Sequence, residues 1–322
     1  SMNSTDPISS ERTTAEQESR KDTSDSVSNE CKNVVMIVAF DGLACMGKSL
    51  FVNHFKESAE ADKIPVSVIS NDEIISKFIQ DYLKDKPSAP IMEACTVGYP
   101  LSQIELRKQT LDALANLKPG KNIIIIDFIN ADKELMEKIQ SPEVAAGFEK
   151  KLVCLYPKIC GDSIYPDLPF SRQFLMNLCH RFLVRQGHII TFDDPVTRYQ
   201  VFITILKPYT GFKDVPSKVK AEMHFDHFEP IEFYQGVPED QQAVELSPII
   251  DNVHKQISVC RDTYDAAPGN PFAHGRDEYQ KLYELLTILD KDAESPEIKP
   301  YLSFGRKDEW NKSYEKIKAY IY

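Results

Sequence analysis

The chain has 322 residues, of which 42% are hydrophobic and 27% charged, and carries a formal charge of −11. It contains no apolar run near the roughly 18 residues that a membrane-spanning helix needs, and its acidic balance argues against an extended nucleic-acid surface, which uses Lys and Arg to displace counterions. Seven cysteines without a Cys-x-x-Cys pair point to reduced thiols rather than a zinc site or disulfide framework. A cytoplasmic setting is the expectation, with export into another cell left open.

Residues 1–32 include twelve Ser or Thr and few large apolar side chains. Such a segment cannot bury enough surface to offset its ordering entropy, and the sequence predicts a disordered tail. From residue 33, strand and helix patterns alternate. NVVMIVAF (33–40) reads as a buried strand and SLFVNHFKESAE (49–60) as a helix. PVSVIS (65–70) is a second strand, followed by a helix, NDEIISKFIQDYL (71–83), that Asn71 or Asp72 would cap. A further helix over 101–117 ends at Pro119-Gly120, NIIIIDF (122–128) is the third strand and KKLVCLY (150–156) the fourth.

This alternation predicts a three-layer α/β/α fold with a mostly parallel five-stranded sheet, whose ligands gather at the carboxyl ends of the strands. The expected fifth strand is AVELSPIIDN (243–252). The 85 or so residues before it exceed what a crossover needs, so a mainly helical insertion is expected over about 157–242. Within it, 171–186 and 194–207 read as helices, the second with Asp194 as cap and Pro195 in its first turn. The core would then cover 33–260. Leu282, Leu285, Leu286 and Leu289, and then Trp310, Tyr314, Ile317 and Ile321, have the spacing of two C-terminal helices (261–322) packed on that core.

Between the first strand and the first helix stands GLACMGKS, with Gly42, four residues, then Gly47, Lys48 and Ser49. A glycine-rich turn between a buried strand and a helix aims successive backbone N–H groups at phosphate oxygens, helped by the positive end of the helix. Gly42, Leu43, Ala44, Cys45, Met46, Gly47, Lys48, Ser49 and Leu50 are therefore the expected nucleotide cradle. Lys48 would reach the β- and γ-phosphates and Ser49 would hold Mg²⁺. Cys45 occupies a place where many such loops carry a third glycine, and a small side chain fits there.

Asp127 ends the third strand where such proteins put a carboxylate that supports the metal. ATP-driven hydrolases commonly follow it with a Glu that activates water, but here Phe128 follows. A GTP switch would need D-x-x-G and N-K-x-D segments, and neither occurs. Asp72, just past the second strand, is placed to act as general base on an acceptor hydroxyl, although capping its own helix is the alternative role.

Gly42 to Ser49, ISNDE (69–73) and IIIIDFIN (123–130) together resemble the P-loop kinases that include 5′-hydroxyl polynucleotide kinase domains, zeta toxins and chloramphenicol phosphotransferase. The polynucleotide kinase branch ends its third strand in D-x-T-N, and Ile129 replaces the Thr here. The resemblance covers about residues 33–156 and implies a P-loop NTPase fold, ATP and Mg²⁺. It also implies that Asp72 is the base, that Asp127 supports the metal and that Asn130 touches the acceptor. A lid after the fourth strand would bring arginines to the transferred phosphoryl group, with Arg172, Arg181 and Arg185 as the candidates.

These residues predict transfer of the γ-phosphoryl group of a nucleoside triphosphate to a hydroxyl-bearing small molecule, a nucleoside or nucleotide among them. Two alternatives remain at this stage: a kinase for polynucleotide 5′-hydroxyls, since a short 5′ end needs few basic contacts, and a non-catalytic nucleotide-binding regulator. His224, Asp226 and His227 stand close together in EMHFDHFEP (222–230), but with no third ligand evident they are expected to serve as surface or core groups.

Overall fold

The structure is a computed structural model, and it describes residues 32–44, 46–128, 132–158, 215–233, 255 and 307–322. The expected tail, Cys45, Asn130, Arg172, Arg181, Arg185, strand 243–252 and the helices over 171–186, 194–207 and 282–289 lie outside the described residues.

Among the described residues five parallel strands make one sheet: β1 (Val34–Phe40), β2 (Val66–Ser70), β3 (Lys121–Asp127), β4 (Glu149–Pro157) and β5 (His227–Ile231), in the order β2-β3-β1-β4-β5. β1 lies at the centre and all seven of its residues are buried. A strand covered on both faces cannot alternate apolar with polar, which is why VVMIVAF and IIII read as continuous apolar runs. The fifth strand of the sheet among the described residues is HFEPI, which the sequence reading did not place in the sheet; the expected strand 243–252 lies outside them. HFEPI lies inside the stretch expected as insertion, and its edge position tolerates Pro230, which has no N–H to give a ladder.

One face of the sheet is covered by α1 (Lys48–Ala61) and by α6 (Lys307–Lys318) with the short 3₁₀ turn Ala319–Ile321. Its core is aromatic: Phe51 meets Trp310 edge-on with centroids 5.5 Å apart, and Phe55 meets Tyr314 at 4.9 Å. The Trp310 indole N–H donates to the Glu232 carbonyl at 2.7 Å, and the Tyr314 hydroxyl donates to Asp62 at 2.7 Å. The opposite face carries α2 (Asn71–Asp85), α3 (Ile91–Ala115), α4 (Lys133–Ile139) and the short α5 (Lys218–Ala221). There Ile37, Ile124 and Ile126 pack with Leu106, Leu114, Leu135, Met136 and Ile139. Burying each such aliphatic side chain is worth about 1.5–3 kcal/mol.

Two helix boundaries differ from the sequence reading. α3 begins at Ile91, ten residues before the expected start, and runs through Pro100. Proline inside a helix removes one backbone bond and usually marks a first turn. Here α3 packs along α2, with Gly98 against Phe78 and Ile79, and this packing carries the helix through. α2 is capped by Ser70, whose hydroxyl accepts from Glu73 N–H at 3.3 Å. Asn71 and Asp72 thus fall in its first turn rather than at the cap.

Candidate functional site

The chain leaves β1 toward β2 on one side and leaves β3 toward β4 on the other, so the crevice between β1 and β3 is the topological switch point, where open α/β sheets bind ligands. Both walls of that crevice carry sequence-predicted residues. Gly47 has φ of 91°, a left-handed conformation that only glycine adopts readily, and it turns the loop directly into α1. The first turn of α1 holds no acidic residue, so the positive end of the helix dipole is left unopposed for an anion.

From that turn Lys48 and Ser49 reach across to β3. The Lys48 ammonium donates to one oxygen of Asp127, and the Ser49 hydroxyl donates to the other at 3.1 Å. Asp127 is only 8% exposed, and a carboxylate buried to that degree needs such partners. Lys48 also lies 5.4 Å from the centroid of the Phe40 ring, which forms one side of its sleeve. A loop lysine, a loop hydroxyl and a strand-end carboxylate, separated by 79 and 78 residues in sequence, converge on one point. The hydroxyl and carboxylate oxygens are hard donors of the kind Mg²⁺ takes alongside water and phosphate oxygens, so the set fits that ion. Met46 is buried, Gly42, Leu43 and Ala44 are half-buried, and Leu50 is exposed on the first turn of α1.

β2 supplies the other side of the edge. Ser70 is in register with Asp127, which places exposed Asp72 on the turn immediately beyond that level. Buried Asn71 accepts from the Gln103 amide at 3.2 Å, anchoring this turn to α3. One helical turn further along α3, Arg107 pairs with Asp132 and, at 3.4 Å, with Glu134. Asp132 in turn caps α4 through Glu134 N–H at 3.0 Å. Arg107's own ionisation is pushed further up by this bond to Asp132.

Sequence reasoning did not single out Asn71, Gln103, Arg107 or Asp132 as lining this edge. Asn71 and Asp132 carry only the local signal of a helix start, and the Gln103 and Arg107 bonds to them join residues 32 and 25 apart, which no local pattern marks. At Phe128, where hydrolases place a water-activating carboxylate, the side chain is apolar and buried.

The 222–230 histidine cluster serves the fold. Asp226 accepts Leu152 N–H at 2.8 Å, His227 stacks on the Tyr320 ring at 3.6 Å, and the His224 carbonyl accepts from Gln140 at 3.0 Å. Among the described residues no group of three or more His, Cys, Asp or Glu could hold a metal, and no helix is long and apolar enough to cross a membrane. The Cys154 thiol is pushed up to about 12 by burial and is chemically inert.

The sheet order, the left-handed glycine turn and the Lys48–Ser49–Asp127 convergence together define a parallel α/β fold of the P-loop type. No family model and no curated protein matches the sequence. Among solved structures, a protein from Chloroflexus aurantiacus J-10-fl described as a candidate kinase is similar at 13% identity over 71% of this chain and 97% of its own, with a TM-score of 0.35. The PezAT toxin–antitoxin system of Streptococcus pneumoniae is similar at 12% identity over 68% of this chain and 78% of that one, with a TM-score of 0.31. The geometry described above, rather than these distant likenesses, carries the fold assignment.

Proposed function

We propose that the chain is an ATP-dependent kinase that transfers the γ-phosphoryl group to a hydroxyl of a small molecule, with nucleosides and nucleotides as the first class to examine. The observation that carries this reading is the junction of Lys48, Ser49 and Asp127 at the switch point, with Asp72 in the first turn of α2 just beyond β2 and no carboxylate at position 128. Mg²⁺, held through Ser49 and Asp127, would supply charge neutralisation of the phosphates.

In this reading the backbone of residues 42–49 cradles the phosphates and Lys48 moves from Asp127 onto phosphate oxygens, where a charge-assisted bond is strongest. Asp72 takes the proton of the attacking hydroxyl, and the oxygen left behind forms its bond to the γ-phosphorus as the bond to the β-phosphate oxygen breaks. Buried Phe128 offers no base to water on that side, which favours transfer over hydrolysis.

The test is phosphoryl transfer from γ-labelled ATP to a panel of nucleosides, nucleotides, other metabolites and 5′-hydroxyl oligonucleotides. Labelling of a small acceptor, reduced by two or more orders of magnitude in Asp72→Ala with Mg·ATP affinity retained, is the expected outcome. Labelling of oligonucleotides alone would transfer the assignment to polynucleotide ends. An unlabelled panel with intact Mg·ATP binding would favour a nucleotide-binding regulator.

A further inference from the structure

Outside the residues assigned above, the charged side chain least compatible with its surroundings is Lys220, only 5% exposed and set on α5, the short helix that enters β5. Lysine is almost never buried to this degree without a neutralising partner. Burial pulls its ionisation down, and the carboxylates of Asp41, foremost, and Asp132 act in the opposite direction. Asp41 directly precedes Gly42, the first glycine of the phosphate loop.

The backbone joins these two places as well. The Asp41 carboxylate accepts Ser217 N–H at 2.5 Å, and the Ser217 hydroxyl accepts Lys220 N–H at 3.3 Å, so the turn that carries Lys220 is tethered to the root of the loop across 176 residues. A carboxylate at the entrance of a polyphosphate cradle is unfavourable for the ligand unless a cation offsets it.

We propose that Lys220 is a positioning residue for the nucleotide: by neutralising Asp41 it keeps the phosphate loop attractive to a polyphosphate, at the place where the Ser217–Asp41 bond ties the chain entering β5 to the donor site. This inference rests on the reading of residues 42–49 as a nucleotide cradle. It adds a residue that neither the loop motif nor the expected lid arginines include.

The experiment is calorimetric titration of the full chain with Mg·ATP, with thermal melts alongside. Lys220→Met should raise Kd on the order of tenfold. Adding Asp41→Asn to that variant should restore Kd to within about twofold of the unaltered chain, because the uncompensated anion is then gone. Lys220→Arg should hold most of the affinity. A merely structural lysine would shift the melting temperature without this reciprocal rescue.

An unchanged Kd in Lys220→Met, or a double variant that binds as weakly as the single one, would overturn the proposal. If Lys220→Met does not fold, Asp41→Asn alone decides: tighter binding of Mg·ATP supports the inference, and equal or weaker binding overturns it. Failure of the unaltered chain to phosphorylate any acceptor would remove the kinase reading and leave this affinity comparison standing.

Discussion

The two faces of the sheet are built differently. The face that carries the phosphate-loop helix α1 is aromatic and is closed by α6, with Trp310, Tyr314 and Tyr320 bonded to Glu232, Asp62 and Glu229. The face that carries α3 and α4 is mainly aliphatic, with Phe128 and Phe225 among its Ile, Leu, Val and Met side chains, and most of its helices stand within the same stretch of chain as the strands they cover. The donor side is therefore held by the C-terminal end of the chain, through bonds that span 78, 91 and, for Tyr314–Asp62, 252 residues, whereas the side facing Asp72 is held mostly by nearer partners. Directional aromatic contacts and buried hydrogen bonds fix the angle of one particular helix; aliphatic packing fills volume and tolerates small shifts.

The strongest way to break the comparison is Trp310→Ala. It removes the edge-on contact with Phe51 and the indole bond to Glu232 and should cost about 3–5 kcal/mol in urea unfolding. Because Phe51 lies on α1, Mg·ATP affinity should fall with it. Ile139→Ala, fully buried on the aliphatic face, should cost about 2–5 kcal/mol and leave Mg·ATP affinity near that of the unaltered chain. Equal effects of the two substitutions on nucleotide affinity would dissolve the contrast.

A finer cut is Tyr314→Phe, which keeps the ring on Phe55 and leaves Asp62 with Lys318 at 3.1 Å. A loss of about 1 kcal/mol in the same unfolding experiment is expected, and a loss as large as that of Trp310→Ala would show that the aromatic face depends on its hydroxyl bond rather than its rings.

The smallest effect is pH-dependent. Partial burial holds His227 below its ordinary value, with Asp226 and Glu229 opposing that shift and Lys151 adding to it, while its ring lies on Tyr320. A depressed folded value means the neutral ring is favoured in the native state. That stability is fully present above the unfolded histidine value of about 6.5 and is lost as pH falls through the lower folded value. Melting temperature should therefore decline between pH 7 and 5, and less steeply in His227→Phe, which keeps the stack. Parallel pH curves would remove His227 as a contributor.

The parts legible in sequence were those whose signal is local. Continuous apolar runs marked β1, β3 and β4 because central parallel strands are covered on both faces. The glycine spacing marked the loop because only glycine serves at the left-handed Gly47. β5 was missed because an edge strand containing Glu229 and Pro230 lacks that run, and Glu229 is tolerated only through Lys316 and Tyr320 from the far end of the chain. The start of α3 was hidden by Pro100, and the α2 cap fell one or two positions early because Ser70, Asn71 and Asp72 are all plausible capping residues until the hydrogen bond is seen. The Asp41–Ser217 tether and the burial of Lys220 have no local pattern at all.

One consequence follows from the position of β1. Its amides and carbonyls are laddered to β3 on one side and to β4 on the other, with every side chain out of water. Amide hydrogens in such a strand exchange with solvent only when the whole domain opens, whereas those of a glycine-rich loop exchange through local fluctuation. The phosphate loop thus grows out of a buried strand that is laddered on both sides. In a deuterium-labelling time course the boundary between fast and slow should fall sharply between Phe40 and Gly42, a flexible cradle hinged on a stationary post.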